Sequence, residues 1–406
     1  MAVKLADVPG LALRPKRPSL MLWLCLFLVA MLLGFVVDFF LLYYWSRESS
    51  LWEVLGASFL IWMSLLSVRG MTYMNQVRLA DGWDEARAED LKLRYQKGRR
   101  SLQVLEARVC TAVSPKGTVN EHHMAGLMSG ETVVRAQPFR LNGVTVRHSR
   151  LGGDEDVDSE SVLIEALTVV LSDLGLALSK MPGDLVLNFV LESNSELAEG
   201  TLRRIWQHVW KQSGIRQSLV AVEGSGFGAV DQWLDQELFQ DAFFLVVAFQ
   251  FVPDQPSGSA EVVTGLLLGG SKIPTYCNSI ALIHRPEFIR NLENDVSDRV
   301  LQALGWVPVD AVSIEHVWRA GIDAQLRSSV IMMLADALAP HDFDKKMHDL
   351  DLLLGHAGNA SPWLAVSVIA QTIQAGSGAQ LVLNGDFLSK SNIWVCVVAP
   401  ALPLSC

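Results

Sequence analysis

Charge is scarce in this sequence of 406 residues: only 19% are Asp, Glu, Lys or Arg, while 50% are hydrophobic. So apolar a chain is not disordered, and its mean hydropathy of +0.28 is high for a protein lying wholly in water. Basic residues are the scarcer sign, 33 against 43 acidic, for a net charge of −10. No global field therefore draws the chain to phosphate backbones, which excludes nucleic acid as an expected partner. Cysteine is sparse as well: Cys25, Cys110, Cys277, Cys396 and Cys406 form no CxxC pair, and one lies inside an apolar run. An odd, scattered set argues against a disulfide framework and against a cysteine zinc site, and leaves reduced or buried thiols. Metal-ligand spacing is also lacking. His122 and His123 are adjacent and point in opposite directions in extended chain, while His341-Asp342-Phe343-Asp344 and His348-Asp349-Leu350-Asp351 read as charged loops. No metal and no cofactor is expected.

What the chain does have is a long apolar run. Residues 19–45 (SLMLWLCLFLVAMLLGFVVDFFLLYYW) carry one acid, Asp38, and exceed the about 20 helical residues that cross a bilayer. A cleaved signal peptide would be shorter and would end in an A-x-A-like exit, which is missing. Tyr43, Tyr44 and Trp45 suit a membrane interface. After a polar break, residues 51–68 (LWEVLGASFLIWMSLLSV) give a second, shorter span. The expected organisation is a basic N-terminus at 1–18, a transmembrane helical hairpin at 19–68, charged juxtamembrane helices at 69–114 and a large domain at 115–406. Asp38, lone in its span, is read as facing loop water rather than as an ion relay. Glu53 and the marginal length leave one alternative, an amphipathic or buried second helix that would export the large domain. Lys4, Arg14, Lys16 and Arg17 precede the first span and Arg69, Arg78 and Arg87 follow the second, against Arg47 alone in the loop. The positive-inside rule then places both ends in the cytoplasm. Arg94, Lys97, Arg99 and Arg100 form either a solvated helix face or a contact for lipid heads.

Beyond residue 115 the text is that of an α/β domain. Asn142-Gly143 within FRLNGVTVRH predicts a β-hairpin. The acids at 154–160 suit a helix N-terminus, and its apolar face continues through Leu163, Leu167, Val170, Leu171 and Leu174. Strands are expected at 184–192, 218–223, 243–251, 260–268, 279–284, 349–354, 380–384 and 392–398. Helices are expected at 197–212, 227–238, 287–304, 324–338 and 361–375. Apolar strands separated by amphipathic helices imply a sheet covered on both faces, with room for two halves of similar size.

Two turns carry the candidate chemistry. In VAVEGSGFG (220–228) a strand turns sharply into a helix, so that backbone N–H groups and Ser225 are presented at a helix N-terminus. Neither G-x-S-x-G nor G-x-G-x-x-G is satisfied: Gly226 stands where the hydrolase serine belongs, and Ala229 where the third dinucleotide glycine belongs. Gly224, Gly226 and Gly228 serve either tight packing or the binding of an anion or acyl group. In DLLLGHAGNAS (351–361), His356 follows an apolar stretch and precedes small residues that open a helix.

The Gly355-His356…Ala360-Ser361 turn, followed by two more strands, resembles the thiolase-like β-ketoacyl synthases, whose late G-H-x-x-x-A-(A/S) turn lies at a strand end before a long helix. The resemblance covers about residues 184–400 and implies a layered thiolase-like α/β domain. It matches the Gly224–Gly228 turn to the elbow of the acyl-accepting cysteine, and His316 to the family's other active-site histidine. It also implies pairing of two copies through a central strand. The departures are plain. No cysteine lies at the elbow, and His316 is followed by Val-Trp-Arg-Ala, where Trp318 would crowd a substrate tunnel. The expected protein is a degenerate, non-catalytic member, with Gly224, Gly226, Gly355, Asn359 and Trp318 as its candidate pocket. The alternative is a membrane-associated acyl-transfer or lipid-hydrolysing enzyme using Ser225 with His316 and His356; each histidine could equally be a buried structural residue. Phrases such as LVVAFQFVPDQPSGSAEVVTGLLLG and ALIHRPE are similar to membrane-anchored accessory proteins of bacterial type VI secretion loci. That similarity implies an inner-membrane adaptor or effector chaperone, with an effector or secretion component as partner.

Overall fold

The structure, a computed structural model, describes residues 8–45, 51–113, 126–152, 158–273, 278–290, 296–307, 309, 311–338, 346–386 and 389–401. His122, His123, His341, Asp342, Asp344, Cys277, Cys406 and the polar break before residue 51 lie outside them. The chain divides into two compact units, 4–95 and 96–406.

The first unit is a helical hairpin. Helix α1 (Leu20–Trp45) is apolar on every face, as a helix surrounded by lipid should be. Helix α2 (Leu51–Gly98) runs unbroken for 48 residues, about 70 Å at 1.5 Å per residue. Both meet the length and hydropathy of a membrane span. They pack antiparallel through aromatic and small residues. Trp62 Nε1 donates to the Trp23 carbonyl at 3.0 Å, Phe27 lies edge-on to Trp62 at 5.0 Å, and a Cβ on Gly34 would press on Ser58. Asp38 is buried and partnered rather than turned to water. The N-terminal arm returns along α2: Arg87 Nε donates to the Pro9 carbonyl at 2.7 Å, and Arg14 pairs with Asp84 at 2.8 Å and with Asp81.

The second unit is built on an 11-stranded sheet among the described residues. Its strands are β1 (Ser101–Cys110), β4 (Val186–Asn194), β5 (Ser218–Ala221), β6 (Phe243–Gln250), β7 (Val262–Gly269), β8 (Ala281–His284), β9 (Glu287–Ile289), β10 (His316–Ala320), β11 (Met347–Asp349), β12 (Gln380–Asp386) and β13 (Ser389–Pro400). A separate hairpin pairs β2 (Arg135–Pro138) with β3 (Thr145–His148) around Asn142-Gly143, as the sequence predicts. The order β11-β10-β12-β13-β8-β1-β7-β6-β4-β5 hides a duplication. Numbered within its own half, each set of five strands reads 3-2-4-5-1, with the fifth antiparallel to its neighbours. The halves meet where β1 pairs antiparallel with β8.

In each half the crossover from third to fourth strand carries a central helix. These are α5 (Gly226–Asp235) and α9 (Ser361–Gln374), and α9 is buried from Ser361 to Ile373. Strand β6 sorts its side chains by parity. Phe244, Val246 and Ala248 join α5 and α9 in one core, while Phe243, Leu245, Val247 and Phe249 face α3 (Ser159–Ser179) and α4 (Glu199–Gln212) in the other. Helix α3 is apolar enough to cross a membrane, yet its stripe from Val162 to Leu178 is spent on this core. The remaining helices are α6 (Val296–Trp306), α7 (Arg327–Leu338) and the single turn α8 (Leu350–Leu353).

Three expectations are corrected. Residues 69–114 are not all helix: α2 continues to Gly98, and the sheet then begins at Ser101 with β1. A bulge between Val104 and Glu106 breaks the alternation that would have revealed the strand. The helix expected over 287–304 starts at Val296, because Glu287–Ile289 pairs with β13. The strand expected over 349–354 stops at Asp349, whose carboxylate accepts the Leu352 N–H at 3.1 Å and caps the α8 turn.

Candidate functional site

The sharp turn after β5 opens α5, and Ser225 occupies the N-cap position in extended conformation without capping the helix by its own side chain. Its hydroxyl instead donates to Glu192 Oε2 at 2.8 Å. The Gly226 N–H donates to Glu192 Oε1 at 2.9 Å, and Trp363 Nε1, from the first turn of α9, donates to the same oxygen at 2.6 Å. A carboxylate from the C-terminal end of β4 thus takes the place that an anion would occupy at this helix terminus. Glu192 is buried. The turn is tight enough to require glycine. Gly224 has φ 142°, and a Cβ there would come within 2.6 Å of Ala229 Cβ; Gly226 has φ 49° and would press within 3.0 Å of Pro362. Packing accounts for both glycines.

Two residues further along β4, Asn194 opens a second polar layer. Its Nδ2 donates to Gln250 Oε1 at 2.9 Å, and Gln250 Nε2 donates to the carbonyls of Ala260 at 2.9 Å and His356 at 2.6 Å. His356 follows the α8 turn, exposed rather than buried, with Nδ1 accepting the Gly358 N–H at 3.1 Å. That bond leaves the ring proton on Nε2 in the neutral form. Gly355, at φ 99°, has the Ser259 carbonyl where a Cβ would go, and Gly358, at φ 55°, has Gln250 Oε1. Asn359 Oδ1 and Ser361 Oγ are buried without a hydrogen-bond partner among the described residues. Asp351 accepts the N–H groups of Gly321 at 3.0 Å and Ile322 at 3.1 Å. Burial raises its carboxyl above the usual range, with the charge of His356 the leading opposing influence.

His316 is not part of this arrangement. It begins β10, opposite Gln380, whereas the strand's far end, Ala320 opposite Asn384, leads to Gly321. A Cβ on Gly321 would lie 2.9 Å from Ser361 Oγ at the start of α9. His316 therefore stands about 13 Å away along the strand, at about 3.3 Å per residue. Its Nδ1 lies 3.1 Å from His348 Nε2. Burial and the neighbouring His316 hold His348 down to about 4, and burial lowers His316 as well. Trp318 lies fully buried in the central core, with Nε1 donating to Gln380 Oε1 at 2.7 Å and its ring stacked on His348 at 4.5 Å. The trio Ser225, His316 and His356 is thus not assembled as the sequence suggested. The partner of Ser225 is Glu192, which is not among the residues that the sequence singles out. A signal existed, since Glu192 and Asn194 are polar residues at the C-terminal end of a parallel strand, where open α/β sheets place their ligands.

Cys110 and Cys396 are buried, and desolvation pushes the Cys110 thiol up to about 12 and raises Cys396 too, so neither is a reactive thiolate.

No family model and no curated protein matches this sequence. Solved structures do. The ishigamide ketosynthase/chain length factor is 16% identical over 74% of this chain and 99% of its own, with a TM-score of 0.49. Human mitochondrial 3-ketoacyl-CoA thiolase in complex with CoA is 8% identical over 75% and 99%, with a TM-score of 0.47. The 3-oxoacyl-[acyl-carrier-protein] synthase III from Aquifex aeolicus VF5 is 9% identical over 73% and 99%, with a TM-score of 0.42. The domain is α/β and thiolase-like on its own chain path, twice 3-2-4-5-1 with a central helix in each half. Likeness at this level says nothing about activity.

Proposed function

We propose that this chain is a membrane-anchored binding protein whose thiolase-like domain no longer condenses acyl groups. The observation that carries the reading is the Glu192 carboxylate, which engages the Ser225 hydroxyl, the Gly226 N–H and Trp363 Nε1 together. An acyl-accepting site at a helix N-terminus needs a free nucleophile and free N–H donors for the developing oxyanion. Here the donors are spent on a built-in anion, and no histidine is hydrogen-bonded to the hydroxyl among the described residues. The hairpin of α1 and α2 supplies the anchor, and the basic residues flanking it favour a cytoplasmic domain at a bacterial inner membrane. In this reading the domain works by holding a protein partner near the bilayer. The resemblance to type VI secretion accessory proteins supplies the partner class, an effector or secretion component. The test is affinity recovery of the full-length chain from native membranes. The same partner should co-purify with wild type and with Ser225→Ala and His356→Ala; loss of that partner in the alanine variants would contradict a purely binding role.

A further inference from the structure

Between α1 and α2 lies an apolar groove of about 400 Å³, lined by Trp23, Leu26, Ala30 and Leu33 on one helix and by Trp62 and Leu65 among others on the second. Its residues on α2 continue through Val68 to Arg69 and Thr72, so one helix face passes from hydrocarbon to a cation and a hydroxyl. From Leu33 back to Trp23 the groove covers ten residues, about 15 Å, half of a hydrocarbon core of about 30 Å. It is one leaflet deep. The leaflet is the one at whose surface α1 begins and from which α2 departs. At that end the Arg69 guanidinium donates to Thr72 Oγ1 at 3.5 Å and pairs with no acid among the described residues, while the Thr72 hydroxyl donates to the Arg69 carbonyl at 2.8 Å. Lys16 and Arg17, just before α1, are exposed, and Arg69 is half-buried. A groove of leaflet length that ends in a guanidinium with no acid partner among the described residues matches an acyl chain joined to an anionic head.

We infer that this groove binds one anionic phospholipid, a tail along Leu26, Ala30 and Leu65 and its phosphate on Arg69. The inference rests on the hairpin spanning the membrane, and the test separates the two. Full-length protein is placed in nanodiscs of equal phosphatidylglycerol and phosphatidylcholine, and the lipid retained on detergent extraction is counted by native mass spectrometry. Wild type should keep one lipid, with about fivefold preference for phosphatidylglycerol, the ratio worth about 1 kcal/mol for one cation at a lipid head. Arg69→Gln should bring that ratio to parity with the lipid still present, and Ala30→Phe, which fills the groove, should abolish retention. Equal retention of the two lipids by wild type, an unchanged ratio in Arg69→Gln, or a second copy or other helix cross-linked across Trp23 and Trp62 would overturn the site. Carbonate extraction reads insertion separately: a chain that resists carbonate but shows no preference refutes the lipid site alone, while one that is extracted refutes the anchor as well.

Discussion

Trp363 Nε1 reaches across from α9 to Glu192 Oε1 at 2.6 Å, so a helix of one half of the duplicated sheet is hydrogen-bonded to a strand end of the other. The same oxygen caps α5 through Gly226. The elbow is thus a structural joint between halves.

That joint predicts an order of stabilities. Glu192→Ala leaves three donors without their acceptor and should cost about 3 kcal/mol or more, at about 1–3 kcal/mol for each buried polar group left unpaired. Glu192→Gln keeps an acceptor for Gly226 and Trp363 and should cost less, and Ser225→Ala should be mildest, at about 1 kcal/mol. Thermal melting of the full-length protein in detergent checks the order. Ser225→Ala as damaging as Glu192→Ala would contradict it.

The glycines divide by backbone and space. Gly355→Ala meets the Ser259 carbonyl and a φ of 99°, and should destabilise by about 1–3 kcal/mol from backbone strain alone. Gly200→Ala, on α4 with nothing within 4 Å, should be neutral or gain about 0.4–1 kcal/mol. Melting both variants beside wild type decides the matter; equal effects would refute the packing role of Gly355.

Acid sensitivity follows from the buried imidazoles. Burial holds His284 down to about 4 from 6.5, and neither ring nitrogen has a hydrogen-bond partner among the described residues. Between those values the unfolded chain binds the proton and the folded one does not, so stability falls as pH drops from about 6.5 toward 4, by up to about 1.4 kcal/mol per unit for this residue. His348 and His316 are lowered in the same direction. His284→Gln should flatten the loss, as read by melting temperature against pH. An unchanged slope would show that His284 does not carry it.

Much of this architecture was legible. Strands β6 and β7 are continuous apolar runs, the mark of strands covered on both faces, and Asn142-Gly143 announced its hairpin. What escaped was decided by distant partners. Strand β1 is disguised by its bulge, and β11 is only three residues long before Asp349 caps the next turn. Glu192 lies 33 residues from Ser225 and 171 from Trp363, separations that no local pattern reports. His316 lies at the start of β10 and not at its end, a difference that spacing along the chain does not report.

The hairpin predicts topology. A fluorescent protein fused after residue 406 should be bright in the cytoplasm, and alkaline phosphatase at the same point should be silent, since Arg14, Lys16, Arg17 and Arg69 flank the spans on one side. An active phosphatase fusion would reverse the orientation.

The elbow at Ser225, with its donors held by Glu192, is closed to acyl transfer. Intact-mass analysis of the purified full-length protein after incubation with an acyl-thioester donor, and separately with a fluorophosphonate, tests it most directly. Wild type and Ser225→Ala alike should keep an unmodified mass. A stoichiometric adduct on wild type that disappears in Ser225→Ala would contradict it.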